Sequence, residues 1–348
     1  MRQILFYSIF FLFHAVTNLK AQGDILFMPF LGSTNTEDII VYNSKTGETA
    51  QWYFDKSNKK MIKEKGGFKI MNTGFEDGRT MMQSYIGAGH TRVILTWNTS
   101  SARSVSWYYN NNTKKLEKSP LEYQLPQNIG LSGSVMMHAY LDKENTEIIL
   151  CWETTTGKSI SFYYNRSAKK FMKSMPGYQL PEDPGVKGKI RMHPYITKDG
   201  SEAVLVWDVN TGNSIAYYYE RNVKKYVKSP EGFQLPANTG INEEVMMYPY
   251  IGRDGSEDIL VWNCKTGKSV SWNYDLGEKK FMPSPDSYQL PVSFTENVMM
   301  IPRVENGDEV IYVWNSTNGQ SVNYLFDMEK KRYVKSEQEY QLPPNPFE

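Results

Sequence analysis

The sequence has little cysteine, almost no net charge and, beyond its first residues, no long apolar run. Its 348 residues hold two cysteines, Cys151 and Cys264. One directly precedes Trp152 and the other lies two residues after Trp262, so they hold different places in the repeats described below, and geometry gives no reason to pair them. A disulfide framework is therefore excluded, and Cys151 is expected as a small core residue. Thirty-nine basic against 38 acidic residues leave a formal charge of +1. That balance excludes a whole-surface field for nucleic acid or anionic membrane, so no nucleic-acid partner is expected. Helical periodicity is missing throughout.

Catalytic motifs are missing too. There is no G-x-S-x-G, no H-E-x-x-H and no repeated Asp-box. Thr-Gly-Lys-Ser at 156–159 and 266–269 resembles the end of a phosphate loop, but the earlier glycine it needs is Trp152 or Trp262. His90, His138 and His193 are the only histidines after residue 21, and the last two share one repeat position, occupied elsewhere by Gln83, Tyr248 and Ile301. Lying on neighbouring repeats without a carboxylate at fixed spacing, they are expected as ordinary strand or rim residues, not as metal ligands or acid–base groups.

What is present begins with Arg2 and an apolar stretch from Ile4 to Phe13. One positive charge before a short apolar run is the pattern of a secretory signal peptide, with a cut expected after Ala21. The run is too short to span a bilayer, which needs roughly 20 apolar residues. Removing 1–21 takes away Arg2 and Lys20 and leaves 37 basic against 38 acidic residues. The mature protein is expected outside the cytoplasm, secreted or at the cell surface, with no transmembrane segment.

The rest of the chain repeats. An aromatic followed by a polar residue recurs at Tyr42-Asn43, Trp97-Asn98, Trp152-Glu153, Trp207-Asp208, Trp262-Asn263 and Trp314-Asn315, spaced by 55 residues and finally by 52. A methionine register runs through Met28, Met82, Met137, Met192, Met247 and Met300. Basic pairs recur at Lys59-Lys60, Lys114-Lys115, Lys169-Lys170, Lys224-Lys225, Lys279-Lys280 and Lys331-Arg332. Tyr123-Gln-Leu-Pro126 returns at Tyr178, Phe233, Tyr288 and Tyr340.

The fifth copy shows what one unit becomes. Val245–Ile251 is an almost continuous apolar run, the mark of a strand buried on both faces. Asp258–Trp262 is a second short strand, and Asn263-Cys-Lys-Thr-Gly267 a hairpin loop, with Asn suited to an Asx-turn and Gly to positive φ. Ser269–Tyr274 alternates as a half-buried strand does, Lys279–Met282 forms a fourth, and Tyr288–Pro291 is an extended connector. Four antiparallel strands, buried innermost and polar outward, make a propeller blade. Such a unit cannot bury both faces alone, so its neighbours must supply the core. The expected fold is an all-β, six-bladed β-propeller over 22–348, with blades near 24–71, 78–126, 133–181, 188–236, 243–291 and 296–343. No strand is seen to be exchanged between the ends, which leaves blades one and six to meet by packing.

The stretch from Asp258 through Asn263-Cys-Lys-Thr-Gly267 to Trp272 resembles the FG-GAP or VCBS-type repeats of secreted and integrin-like propellers. The likeness covers about a third of each unit and speaks to fold, not function. Many such repeats carry a calcium loop with oxygen ligands at alternating positions. Here those positions fall on Tyr250, Gly252, Asp254 and Asp258, on Tyr195, Thr197, Asp199 and Ala203, and on Phe30, Gly32, Thr34 and Asp38. The leading ligand is aromatic each time, so metal-free turns are expected, with no cofactor.

The repeated candidates for binding are the third-strand aromatics Trp52, Trp107, Phe162, Tyr217, Trp272 and Tyr324, beside Ser104, Ser159, Ser214, Ser269 and Ser321, with Asn98 and Asn263 in the hairpins. An aromatic face next to hydroxyls suits a sugar ring, and the same rings also suit packing of blade on blade. The basic pairs fit either a polyanion-binding rim or solvated turns whose lysines keep edges apart. The reading is a non-catalytic recognition module, carbohydrate-binding first. The alternatives are a protein-interaction scaffold and a glycan-cleaving enzyme with two carboxylates in the channel.

Overall fold

The computed structural model describes residues 25–347 apart from 32–36, 56, 59, 65–79, 88–90, 111, 114, 306 and 338–340. The expected signal peptide, His90, Lys59, Lys114, Tyr340, Gly32 and Thr34 lie outside the described residues.

Six four-stranded antiparallel sheets follow one another along the chain, each in plain strand order from one to four. They occupy 25–63, 80–118, 135–173, 190–228, 245–283 and 298–335 and form the six blades of a β-propeller. In blade five the inner strand Val245–Ile251 pairs with Glu257–Asn263, which pairs with Ser269–Asp275 and then Lys280–Pro283. The two inner strands carry the core and the outer pair alternates with solvent. The hairpin between strands two and three closes as the sequence implies. The amides of Lys265 and Thr266 donate to Asn263 Oδ1 at 2.8 and 2.7 Å, and Gly267 takes a φ of +71°.

The Tyr-Gln-Leu-Pro connector is more structured than an extended link. Its aromatic ends a 3₁₀ turn, as at Leu121–Tyr123, Pro176–Tyr178, Glu231–Phe233 and Asp286–Tyr288. Its glutamine then bridges strands three and four where they part. Gln179 Oε1 accepts from the Ser161 amide at 2.8 Å, while Nε2 donates to the carbonyls of Ser161 and Ser174 at 3.2 and 2.8 Å. Gln124 and Gln234 repeat the arrangement. The first lysine of each described basic pair, at 169, 224 and 279, and Lys331 hold positive φ in the turn between strands three and four.

Blades meet through one recurring contact. The indole Nε1 of Trp97, Trp152, Trp207, Trp262 and Trp314 donates to the carbonyl of the first inner-strand residue of the next blade: Val135, Ile190, Val245, Val298 and Ile25, at 3.0–3.3 Å. Each of those residues returns its amide to the carbonyl two places after the tryptophan, at 2.7–2.9 Å. Blade one has Tyr42 at this place, and its hydroxyl is hydrogen-bonded to the Thr80 side chain at the start of blade two.

The seam between blades six and one closes without an exchanged strand. Trp314 bonds Ile25 as above, Phe27 stacks on Trp314 at 5.1 Å, and the C-terminal segment lies over blade one. Trp52 Nε1 donates to the Pro346 carbonyl at 2.8 Å, and Lys63 Nζ donates to that of Phe347. The tail stands where a connector stands on other blades, as Tyr217 in blade four donates to Pro184 at 3.0 Å.

Pairing corrects one register. Phe27, not Met28, is the partner of Val41 and so the equivalent of Met82, Met137, Met192, Met247 and Met300. Met28 instead shares a level with Gln83, His138, His193, Tyr248 and Ile301, the fourth residue of each inner strand.

The seam bond makes a test. Trp262→Phe keeps most of the apolar surface but strands the buried Val298 carbonyl, and the expected cost is about 1–3 kcal/mol in denaturant unfolding. Trp107→Phe is the control, since its Nε1 reaches only Thr96 Oγ1 at 3.4 Å and its loss is expected to be smaller.

Candidate functional site

The six third-strand aromatics lie one to a blade. Trp52, Phe162, Tyr217, Trp272 and Tyr324 are buried and Trp107 is half-buried. In blades one, four and six the ring's polar end is tied to the segment crossing above it: Trp52 to Pro346, Tyr217 to Pro184, Tyr324 to the Ser293 hydroxyl. Asn98 and Asn263 serve their hairpins. Asn98 Oδ1 accepts from the Ser100 and Ser101 amides at 2.9 and 2.8 Å, and Asn263 Nδ2 donates to the carbonyls of Asn242 and Glu243.

The other three rings have no such tie: Trp107 Nε1 reaches Thr96 Oγ1 within its own blade, Trp272 Nε1 is buried with no hydrogen-bond partner among the described residues, and Phe162 in blade three has neither N–H nor O–H to offer. A cleft of about 620 Å³ opens there. Phe162 forms its floor, the connector 128–130 one wall, and Gln179, held by strand three, the other. Lys158, Lys173 and Glu182 rim it. Ser159 also lines it, and its Oγ is buried with no hydrogen-bond partner among the described residues. An apolar ring face beside an unused hydroxyl and both signs of charge can hold a polar ligand with an apolar face. Phe162 was legible as a candidate. Its rim was not, because Asn128 and Glu182 belong to two connectors, before and after blade three, whose positions depend on the fold.

The channel corrects the reading of the histidines. His138 and His193 converge, with ring centroids 4.7 Å apart, and His193 meets Tyr248 at 4.6 Å. A ring of blades brings one register position of neighbouring copies side by side, which spacing along the chain conceals. All six residues at this level are no more than 3 % exposed, so they fill the axis there. Among the described residues of the first strand of each blade, Glu305 is the only acidic residue in the sequence.

Acids gather instead at the inner-strand ends. Tyr250 donates to Glu309 Oε1 at 2.9 Å, and Tyr333 donates to the same oxygen. Burial, helped by Glu309, pushes the Asp258 carboxyl up to about 7. Burial, helped by Asp142, does the same to Glu202. In the calcium-like loops, Asp254 Oδ1 accepts from the Ser256 amide at 2.8 Å and Asp199 Oδ1 from that of Ser201 at 2.9 Å, so these carboxylates cap their own turns. Among the described residues no three His, Cys, Asp or Glu side chains are grouped to hold a metal ion.

No protein-family model matches the chain, and no curated protein matches it. Among solved structures, a Bacteroides uniformis protein described provisionally as a 6-phosphogluconolactonase is similar over 90 % of this chain and 96 % of its own, at 11 % identity and TM-score 0.51. AofleA from Arthrobotrys oligospora aligns over 90 % and 85 % at 9 % identity and TM-score 0.48, and an ulvan lyase over 93 % and 82 % at 8 % and 0.47. At such identities the likeness is one of fold.

Two tests follow from the acids. A carboxyl raised in the folded state favours folding below its unfolded value and loses that contribution as pH rises through about 7. Stability is expected to fall between pH 4.5 and 7.5 by on the order of 2 kcal/mol for each of Glu202 and Asp258. Unfolding of Glu202→Gln across that range is expected to show a flatter profile, and an unchanged slope would contradict the assignment. A metal chelator is expected to leave the melting temperature unchanged, which a thermal scan checks.

Proposed function

We propose that this propeller is a non-catalytic recognition module working outside the cytoplasm, with carbohydrate as its ligand and the blade-three cleft as its site. The supporting observation is the floor of that cleft: Phe162, with no tie to the connector, beside the unpartnered Ser159 Oγ. A sugar ring offers C–H groups to such a face and hydroxyls to its rim. The likeness of the Trp-Asn-x-x-Thr-Gly hairpin to FG-GAP or VCBS-type repeats fits a secreted propeller, and the N-terminal apolar run fits export.

A glycan array run with wild type and Phe162→Tyr tests this. The tyrosine hydroxyl is expected to reach the connector as Tyr217 does, narrow the cleft and weaken binding at least tenfold without loss of stability. Absence of glycan binding, together with a co-purifying protein, would favour the scaffold reading. Release of reducing ends from a bound glycan would favour the enzyme.

A further inference from the structure

The second residue of the inner strands is Leu26, Met81, Met136, Arg191, Met246 and Met299. Five apolar side chains share this level with one guanidinium, and all six are buried. Arg191 is only 4 % exposed, and its Nε and Nη1 are buried without a hydrogen-bond partner among the described residues. A buried cation left unpaired costs several kcal/mol, and methionine at the same place in four other blades shows that the fold does not need it.

The surroundings indicate what would meet it. Arg191 lies on the strand face that turns toward blade five, two residues before His193, which meets Tyr248. Lys189 and Glu244, half-buried, precede the inner strands of blades four and five; Glu244 and Cys264 act electrostatically on Arg191, and Arg191 on Lys189. Burial pushes the Cys264 thiol up to about 12, so it is neutral and no counter-charge. Burial lowers Arg191 to about 10, which leaves it cationic at neutral pH. Glu244 Oε2 is also buried without a partner. Two cations and one anion leave an excess positive charge, unused donors on Arg191 and an unused acceptor on Glu244.

We infer that the end of the channel where the inner strands begin binds a small hydroxy acid of the uronate kind, its carboxylate on Arg191 and a hydroxyl on Glu244, against the methionine side chains of the same level. This site is separate from the blade-three cleft and does not rest on it.

Thermal unfolding and titration calorimetry with sodium glucuronate test the inference, with sodium chloride at equal ionic strength and glucose as controls. Wild type is expected to gain several degrees with glucuronate and none with glucose, by mass action on the folded state. Arg191→Met restores the residue of the other blades. It is expected to fold with an equal or higher melting temperature and to bind glucuronate at least tenfold more weakly, while Phe162→Tyr leaves this response intact. Sulfate and phosphate separate a bare oxyanion site from a sugar-acid site: a response to them without one to glucuronate would overturn the assignment. No response beyond chloride in wild type, or an undiminished one in Arg191→Met, would overturn it as well.

Discussion

A blade of four short strands has two apolar faces and no means of covering either, so everything in this molecule depends on how one blade grips the next. The grip is an indole N–H delivered to the first inner-strand carbonyl of the following blade, with a backbone amide returned two residues beyond the tryptophan. Tryptophan supplies both halves of the contact, a large apolar area for the seam and a polar end for a carbonyl that the ladder leaves unmet. Because the same bond fixes the entrance of five of the six inner strands, it also sets the level at which their side chains meet their neighbours. The filled level of His138, His193 and Tyr248 is a consequence of that alignment.

With the seam satisfied by tryptophan in five blades and by Tyr42 in the first, the remaining positions are free to differ, and the two places of chemical interest are such differences. Phe162 lacks the polar end that ties Trp52, Tyr217 and Tyr324 to the segments above them, and a cleft opens beside it. Arg191 stands where four other blades carry methionine, and it is buried with no hydrogen bond from Nε or Nη1 to any described residue. Neither departure helps the fold, which is the reason to look for a ligand at each.

The architecture was legible because it is repeated: an aromatic, a polar hairpin residue (Asn, Asp or Glu) and, in five of six copies, Gly fall at fixed places in the hairpin, and period-two patterning separates inner from outer strands. The off-by-one placement of Met28 arose because Phe27 carries the apolar role of methionine in the first copy, and only pairing with Val41 distinguishes them. Convergence of His138 with His193 was not legible, since 55 residues of separation give no sign that a ring sets equal positions side by side. The glutamine clamp was visible as a repeat but not as a function, because its partners Ser161 and Ser174 lie on strands whose divergence appears only in the fold. The third-strand aromatics were found as residues, whereas the difference between a tied ring and an untied one depends on what crosses above it.

The C-terminal segment closes the ring by standing in for a connector over blade one, through Trp52 and Pro346. Hydrogen exchange on a chain ending at Pro343 tests this directly. The expected result is faster exchange in the inner and third strands of blade one and in the hairpin of blade six around Ser316, with blades three to five unchanged. Equal protection of blade one in the full and shortened chains would contradict it.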